Sequence, residues 1–386
     1  LPTVSKRVSK LPVYVFATIS RQVTDLLNQG KPILRLDMGS PDMPPPTAVI
    51  EKLKSVASED GAHGYSGYRG TPIFRRAVAQ YYQKRFGVEI DPETEVLPLI
   101  GSKEGIVNLC LAYLDDESSI AIPTISYPAY EMAAILSETA IVSLPLDTSY
   151  LPDLSNYQHQ SNTKIIWINY PNNPTGAVIS LERLQELVDF CNEHDVLLAS
   201  DNPYAEITFD DYRAPSTLQA RDAKRTTIEF MSLSKTFNMA GWRIGAAVGN
   251  ATAIKNLLHV KSNMDSGHFK AVYAAGACAL TDTPQAWIEN RNSIYQSRRD
   301  KIVDVLSGLG FLVHKPQGAM YVWAQLPSSH SDDVEYVQRL LNEAYVSVAP
   351  GSAYGSSGQG FIRLSLGISE TQLEEALGRI VAWHHP

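Results

Sequence analysis

A lysine between hydroxyl residues, in Ser232-Leu-Ser234-Lys235-Thr-Phe-Asn-Met-Ala-Gly-Trp-Arg243-Ile-Gly245, directly follows a run that reads as a buried strand. Lysine is a poor choice there unless its amine has work to do. Burial lowers the pKa of an ammonium, and the neutral amine condenses with an aldehyde to a Schiff base. Two serines and an arginine nearby are the types that hold a phosphate dianion. An aldehyde and a phosphate on one small molecule describe pyridoxal 5′-phosphate. Alone, the segment also fits a surface lysine and an ion-pairing arginine.

Further segments offer matching chemistry. In Ser200-Asp201-Asn-Pro-Tyr204 an aspartate ends another strand-like run. A carboxylate buried there is costly unless paired. A protonated pyridine nitrogen would pair it and make the ring a better electron sink. Tyr204 is placed to donate to a phenolate oxygen. Tyr170-Pro-Asn-Asn173-Pro-Thr-Gly176 is a polar turn at a strand end, where amide side chains can face a ligand. Gly101-Ser102-Lys103 opens a helix after a strand, so its backbone N–H groups form a phosphate site. The ring of Tyr127 can lie over a flat cofactor. Arg363 interrupts the apolar run Phe361–Leu366, and a buried guanidinium needs an anion such as an α-carboxylate. Each has a plainer reading: a turn, a helix cap, a generic loop, a core aromatic, a structural ion pair.

These residues need a scaffold. Strand-like runs are predicted at 95–100, 119–123, 140–144, 164–169, 196–200, 227–231 and 245–248, alternating with amphipathic helices such as the Ser180-capped 181–192. That alternation predicts an α/β fold with a mostly parallel sheet sandwiched by helices, and ligands in such sheets bind beyond the carboxyl ends of the strands. The tail changes character. A long helix is predicted over 285–309, then strands at 311–314, 320–325, 346–349 and 361–366, and a last helix opened by the capping box Ser369-Glu-Thr-Gln372. This predicts a smaller α+β domain built from both termini, with boundaries 1–36, 37–284 and 285–386. The stretch 351–360, mostly Gly and Ser, reads as a mobile loop.

Bulk properties narrow the function. The net charge is −8 with acids and bases interspersed, so no basic block points to nucleic acid or an anionic membrane. No run approaches the ~20 apolar residues that span a bilayer. Cys110, Cys191 and Cys278 lie far apart in apolar contexts, which predicts buried free thiols, a cytoplasmic setting and no metal site.

The ordered set of phosphate loop, ring aromatic, Asn-Pro-Thr-Gly turn, Asp-x-x-Tyr, Ser-x-Ser-Lys, arginine and later arginine resembles the class I/II aminotransferases of the aspartate aminotransferase fold, known as fold type I. Leu36-Asp-Met-Gly39-Ser-Pro-Asp and Tyr65-Ser-Gly-Tyr68-Arg69-Gly70 match that family's early motifs, so the resemblance covers nearly the whole chain. It implies that Lys235 carries pyridoxal 5′-phosphate and then moves the proton. It implies that Asp201 holds the pyridinium, that Asn173 and Tyr204 bind the phenolate oxygen, and that Tyr127 stacks on the ring. Gly101, Ser102, Lys103, Ser232, Ser234 and Arg243 surround the phosphate. Tyr65 reaches the neighbour's phosphate across a homodimer with shared sites. Gly39, Asn173 and Arg363 line the substrate pocket, with Arg363 taking the α-carboxylate.

The partners implied are an L-amino acid and a 2-oxo acid, with glutamate and 2-oxoglutarate as one pair. The segments 97–105, 167–176 and 261–270 are most similar to LL-diaminopimelate aminotransferases. Arg69 departs from that pattern, since those enzymes tend to carry an acid in this segment. Arg69, with Lys103 and Lys270, favours a distal carboxylate and keeps aspartate open as donor, unless Arg69 faces elsewhere. If it repels a distal ammonium, Arg69→Glu gains diaminopimelate turnover. Two other functions stay open on these residues: a C–S lyase or other β-eliminating or cyclising enzyme, and a non-catalytic effector-binding module.

Overall fold

The computed structural model describes residues 1–384. Seven strands form the central sheet: β1 (Val96–Leu99), β2 (Ser119–Pro123), β3 (Ala140–Leu144), β4 (Thr163–Asn169), β5 (Leu197–Asp201), β6 (Thr227–Ser232) and β7 (Gly245–Gly249). Their spatial order is β1-β7-β6-β5-β4-β2-β3. The ladders are parallel except that β7 runs antiparallel to both β1 and β6. All seven expected runs are strands, with bounds shifted by at most one residue.

Residue type explains the layering. Successive side chains of a strand point to opposite faces. Ile166, Ile168, Leu198 and Val248 therefore pack into one core, and Ile165, Trp167, Ala199 and Ala247 into another. Helices Pro72–Phe86 and Leu181–His194 contribute to the first, and Ser102–Tyr113 and Ala251–Lys261 to the second. A strand covered on both faces has no polar side. The edge strand β3 instead exposes Ala140, Ile141 and Ser143. Ser180 caps its helix, its hydroxyl accepting from Arg183 N at 3.3 Å.

A four-stranded antiparallel sheet, in the order Ala349–Pro350, Phe361–Ser365, Tyr321–Gln325, Leu312–Val313, supports the third core with helices Gln285–Gly308 and Glu370–His384. The expected strand 346–349 is divided. Val346–Ser347 pairs in parallel with Leu34–Arg35, while Ala349–Pro350 joins the larger sheet. The N-terminal segment is thus stitched to the tail. The box at Ser369 is half formed: its hydroxyl accepts from Gln372 N at 3.4 Å but donates to the Gln372 side-chain oxygen, leaving the reciprocal backbone bond unmade. Among the described residues no helix is long and apolar enough to cross a membrane.

The Gly/Ser stretch 351–360 is not an open loop. It folds into two short 3₁₀ turns with Gly351, Tyr354 and Gly358 buried, and Tyr354 packs on Ile125 and Trp323. The small residues are there for close approach: a Cβ on Gly351 would collide with the carbonyl oxygen of Gly358. Backbone cannot swing aside as a side chain can. Gly351→Ala should therefore cost about 1–3 kcal/mol in denaturant unfolding, whereas Ser357→Ala, on the exposed side, should stay within about 0.5 kcal/mol.

Candidate active site

Seven of the expected segments meet in one cleft of about 340 Å³ beyond the carboxyl ends of β1, β2, β4, β5 and β6. Arg243 reaches the same edge because β7 is antiparallel, which puts the start of that strand beside the ends of its neighbours. Gly39, Ser102, Lys103, Tyr127, Asn173, Asp201, Tyr204, Ser232, Ser234, Lys235, Arg243 and Arg363 all line the cleft.

Lys235 sits on the single helical turn Leu233–Thr236 that follows β6. The Ser232 hydroxyl holds its start, accepting from Ser234 N at 3.2 Å. The Lys235 ammonium donates to the Gly39 carbonyl. Burial, then the Arg363 and Arg243 charges, lower its pKa from 10.5 to about 8.

Asp201 ends β5 and is 3% exposed. One carboxylate oxygen accepts from Tyr130 OH at 2.8 Å, and Tyr130 stacks on Trp167 with ring centroids 4.8 Å apart. The other oxygen is buried and has no partner among the described residues. Burial raises the Asp201 pKa to about 7. A cationic ring N–H is the donor this oxygen lacks.

The turn after β4 is fixed by its own amides. Asn169 donates to the Asp201 carbonyl at 2.6 Å and accepts from Asn173 N at 2.8 Å, while Asn172 accepts from Thr175 N at 3.0 Å. This sends the Asn173 side chain across the cleft, where it accepts from Arg363 at 2.9 Å. Arg363 also donates to the Asp37 carbonyl at 2.6 Å and lies 4.1 Å from the Tyr321 ring centroid. Its buried Nε has no partner, so the guanidinium keeps an N–H for an anion. Tyr204 OH and Tyr321 OH are 2.8 Å apart.

The opposite end is cationic. Gly101, at φ +75°, lets the chain turn into helix Ser102–Tyr113, whose first N–H groups have no side-chain cap. A Cβ on Gly101 would press on the Arg243 guanidinium. Lys103 lies 4.7 Å from the Tyr14 ring, and among the described residues no carboxylate pairs with it. Burial and Arg243 lower its pKa. Free helix N–H groups, two serine hydroxyls and Arg243 match a phosphate; with the bare Asp201 oxygen they fit pyridoxal phosphate at both ends.

Three expected residues lie elsewhere. Tyr65 is 89% exposed and away from its own chain's cleft. Arg69 donates to the Glu93 carbonyl and lies 3.8 Å from the Glu93 carboxylate, outside the cleft of its own chain. Lys270 donates to the Gly61 carbonyl at 2.7 Å and lies outside the cleft of its own chain. Other wall residues had no sequence signal of their own. Tyr14, Phe16 and Arg35 come from the N-terminal segment, and Tyr321 from an ordinary apolar strand. Asp37 stands in a quoted motif, but its pairing with Arg35 at 2.7 Å is not written there.

The family model for aminotransferase class I and II matches residues 31–380. The chain belongs to that family. It is similar to LL-diaminopimelate aminotransferases of Dehalococcoides mccartyi, 41% identical over 98% of both chains, and of Moorella thermoacetica, 42% identical over 97% of both. Among solved structures, substrate-bound BacF from Bacillus subtilis superposes with a TM-score of 0.96 at 32% identity, covering 99% of this chain and 98% of that one. Thermus thermophilus aspartate aminotransferase with maleate gives 0.93 at 29%, covering 99% and 100%. This aminotransferase is therefore a pyridoxal-phosphate enzyme of the aspartate aminotransferase fold that transfers amino groups. The family and its relatives favour transamination over the β-eliminating alternative, and leave no case for a non-catalytic module.

The lowered Lys235 pKa has a thermodynamic consequence. Between about 8 and 10.5 the unfolded lysine holds a proton that the folded one has released, so stability of the cofactor-free protein rises with pH across that window. Below it, the buried charge is a standing cost. Cofactor-free Lys235→Met should therefore melt above the cofactor-free parent at pH 7.5, and the gap should narrow towards pH 10.

Proposed function

We propose that this aminotransferase moves an amino group between LL-diaminopimelate and 2-oxoglutarate, with Lys235, Asp201 and Arg363 as its working residues. The observation that carries the site assignment is the bare, buried Asp201 oxygen in the same cleft as an amine of lowered pKa. The substrate comes from the relatives named LL-diaminopimelate aminotransferase. Arg69, engaged by Glu93, places no charge in its own chain's cleft against a distal ammonium.

The bound cofactor supplies the sink for the electron pair left when the substrate's Cα–H bond breaks. Asp201 keeps the proton on the ring nitrogen, and a cationic partner there returns its carboxyl to the ionised form. Lys235 takes the Cα proton and gives it back; a pKa of about 8 lets one amine do both near neutral pH. Arg363, held by Asn173 and the Asp37 carbonyl, receives the α-carboxylate beside Gly39. Asn173 and Tyr204 bind the phenolate oxygen, and Tyr127 covers the ring. Gly101, Ser102, Lys103, Ser232, Ser234 and Arg243 hold the phosphate, and the exposed Tyr65 completes that cradle in a second subunit of a homodimer. The units 1–36 with 285–386, and 37–284, form the small and large domains. A cytoplasmic setting suits the three buried free thiols.

A second reading rests on Lys103, an ammonium on the cleft wall with no paired carboxylate among the described residues. It would suit a donor with a distal carboxylate, such as aspartate. Purified enzyme is mixed with LL-diaminopimelate, aspartate, glutamate, alanine or an aromatic amino acid, and the cofactor's absorbance is followed in single turnovers. LL-diaminopimelate should convert the cofactor to its amine form fastest, and 2-oxoglutarate should restore it. A faster aspartate reaction, weakened about tenfold or more by Lys103→Gln, would establish the second reading. Protein that stays colourless with added cofactor would remove the assignment of Lys235.

A further inference from the structure

Arg291 lies in the first turns of helix Gln285–Gly308, outside the cleft, and is only 2% exposed. A buried guanidinium calls for an anion, yet among the described residues no carboxylate forms an ion pair with it. The nearby Glu206 carboxylate is occupied by Arg85 at 3.0 Å and Tyr81 at 2.7 Å. Every hydrogen bond of Arg291 goes to a neutral acceptor. One arm donates to the carbonyls of Lys235, at 3.3 Å, and Thr236; the other donates to the carbonyl of Glu206. Nε and that second arm share the Asn292 side-chain oxygen at 3.1 and 2.8 Å, and the Asn292 amide returns to the Glu206 carbonyl at 2.9 Å. Burial alone pulls the Arg291 pKa down to about 10.

The acceptors explain this expense. Lys235 and Thr236 close a helical turn of four residues, too short to satisfy its own carbonyls, and a cation is favoured at such an end. Ser232 secures the other end of the turn. Glu206 follows Tyr204 on the segment that leaves Asp201. A single planar group thus ties the backbone of the amine-bearing turn to the segment that carries the ring-nitrogen and phenolate partners. No other type offers five donors in a rigid fork; a lysine ammonium has three on a flexible stem.

We propose that Arg291 is a positioning residue for Lys235, fixing the lysine backbone relative to Asp201 and Tyr204 without touching cofactor or substrate. The proposal rests on the reading of Lys235 as the cofactor-bearing, proton-moving residue. Substrate anchoring by Arg363, Asn173 and Asp37 lies on other elements. Loss of Arg291 therefore lowers kcat and leaves KM nearly unchanged. It also frees the lysine turn towards solvent, where the amine regains a more ordinary pKa.

The test compares Arg291→Gln, Arg291→Lys and Asn292→Ala with the parent. The holoenzymes give kcat and KM. The cofactor-free proteins are labelled with an amine-reactive reagent across pH, and the Lys235 peptide is quantified by mass spectrometry. Arg291→Gln should lose about tenfold to a hundredfold in kcat, as expected for a misplaced proton-transfer group, with KM within about twofold. Its Lys235 labelling midpoint should rise by about one pH unit or more. Arg291→Lys should not rescue either property. Asn292→Ala keeps the guanidinium but removes its orienting amide, so it should shift both in the same direction by less; it carries the test if Arg291→Gln does not fold. Unchanged kcat and labelling midpoint in a folded Arg291→Gln, or full activity in Arg291→Lys, would overturn the proposal. Lys235→Ala separates the two readings: if cofactor remains covalently trappable by borohydride in that variant, the assignment of Lys235 falls, whatever Arg291 does.

Discussion

Asp201 closes a buried strand with one carboxylate oxygen bound to Tyr130 and the other bare, and much of the molecule is arranged around that imbalance. A lone carboxylate in such a place either neutralises itself or waits for a cation. Its pKa near 7 marks the undecided state of the protein without its cofactor. The surrounding parts follow from the requirement. Tyr130 is immobilised by stacking on Trp167, Asn169 grips the Asp201 backbone, and the same Asn169 shapes the turn that presents Asn173. A cation seated there would thus meet a wall whose geometry is already fixed, with little reorganisation left to make.

Sheet topology gathers the remaining charges. Parallel strands deliver their following loops to one edge, and the reversed β7 brings Arg243 to it from the other direction. Arg363 arrives from a different sheet, paired in register with Trp323 and Ala349. Its links to Asn173 and to the Asp37 carbonyl cross between the large sheet, the small sheet and the N-terminal segment. The cleft is therefore a junction, with Ser102, Lys103 and Arg243 delivered by the large sheet and Arg363 by the small one.

How much of this was legible depends on where the information lies. Residues at or just beyond a strand end, such as Ser102, Asn173, Asp201 and Lys235, could be placed from local pattern, because a strand end and a ligand site coincide in this topology. The direction of β7 could not, since Gly245-Ala-Ala-Val reads the same either way. Nor could Tyr321, whose phenol serves Tyr204 and whose ring covers Arg363; in sequence it is one more aromatic in an apolar run. Composition misled at 351–360, where the small residues permit close packing in two 3₁₀ turns rather than an open loop. Lys270, a cation near a motif, lies outside its own chain's cleft because its ammonium reaches the Gly61 carbonyl, a contact no local pattern announces.

The stitch between Leu34–Arg35 and Val346–Ser347 has a consequence for how the molecule comes into being. The bond from Arg363 to the Asp37 carbonyl joins residues 326 positions apart. On a ribosome, which extends chains from the amino end, the segment bearing Gly39 emerges early and must remain without its pairing strand until nearly the whole chain has followed. The cationic end of the cleft, confined to residues between Gly101 and Arg243, can be complete well before then. A nascent chain will thus own the end of the cleft that carries Ser102, Lys103 and Arg243 before it owns Arg363, and closing so long a loop late is an entropic cost that topology imposes.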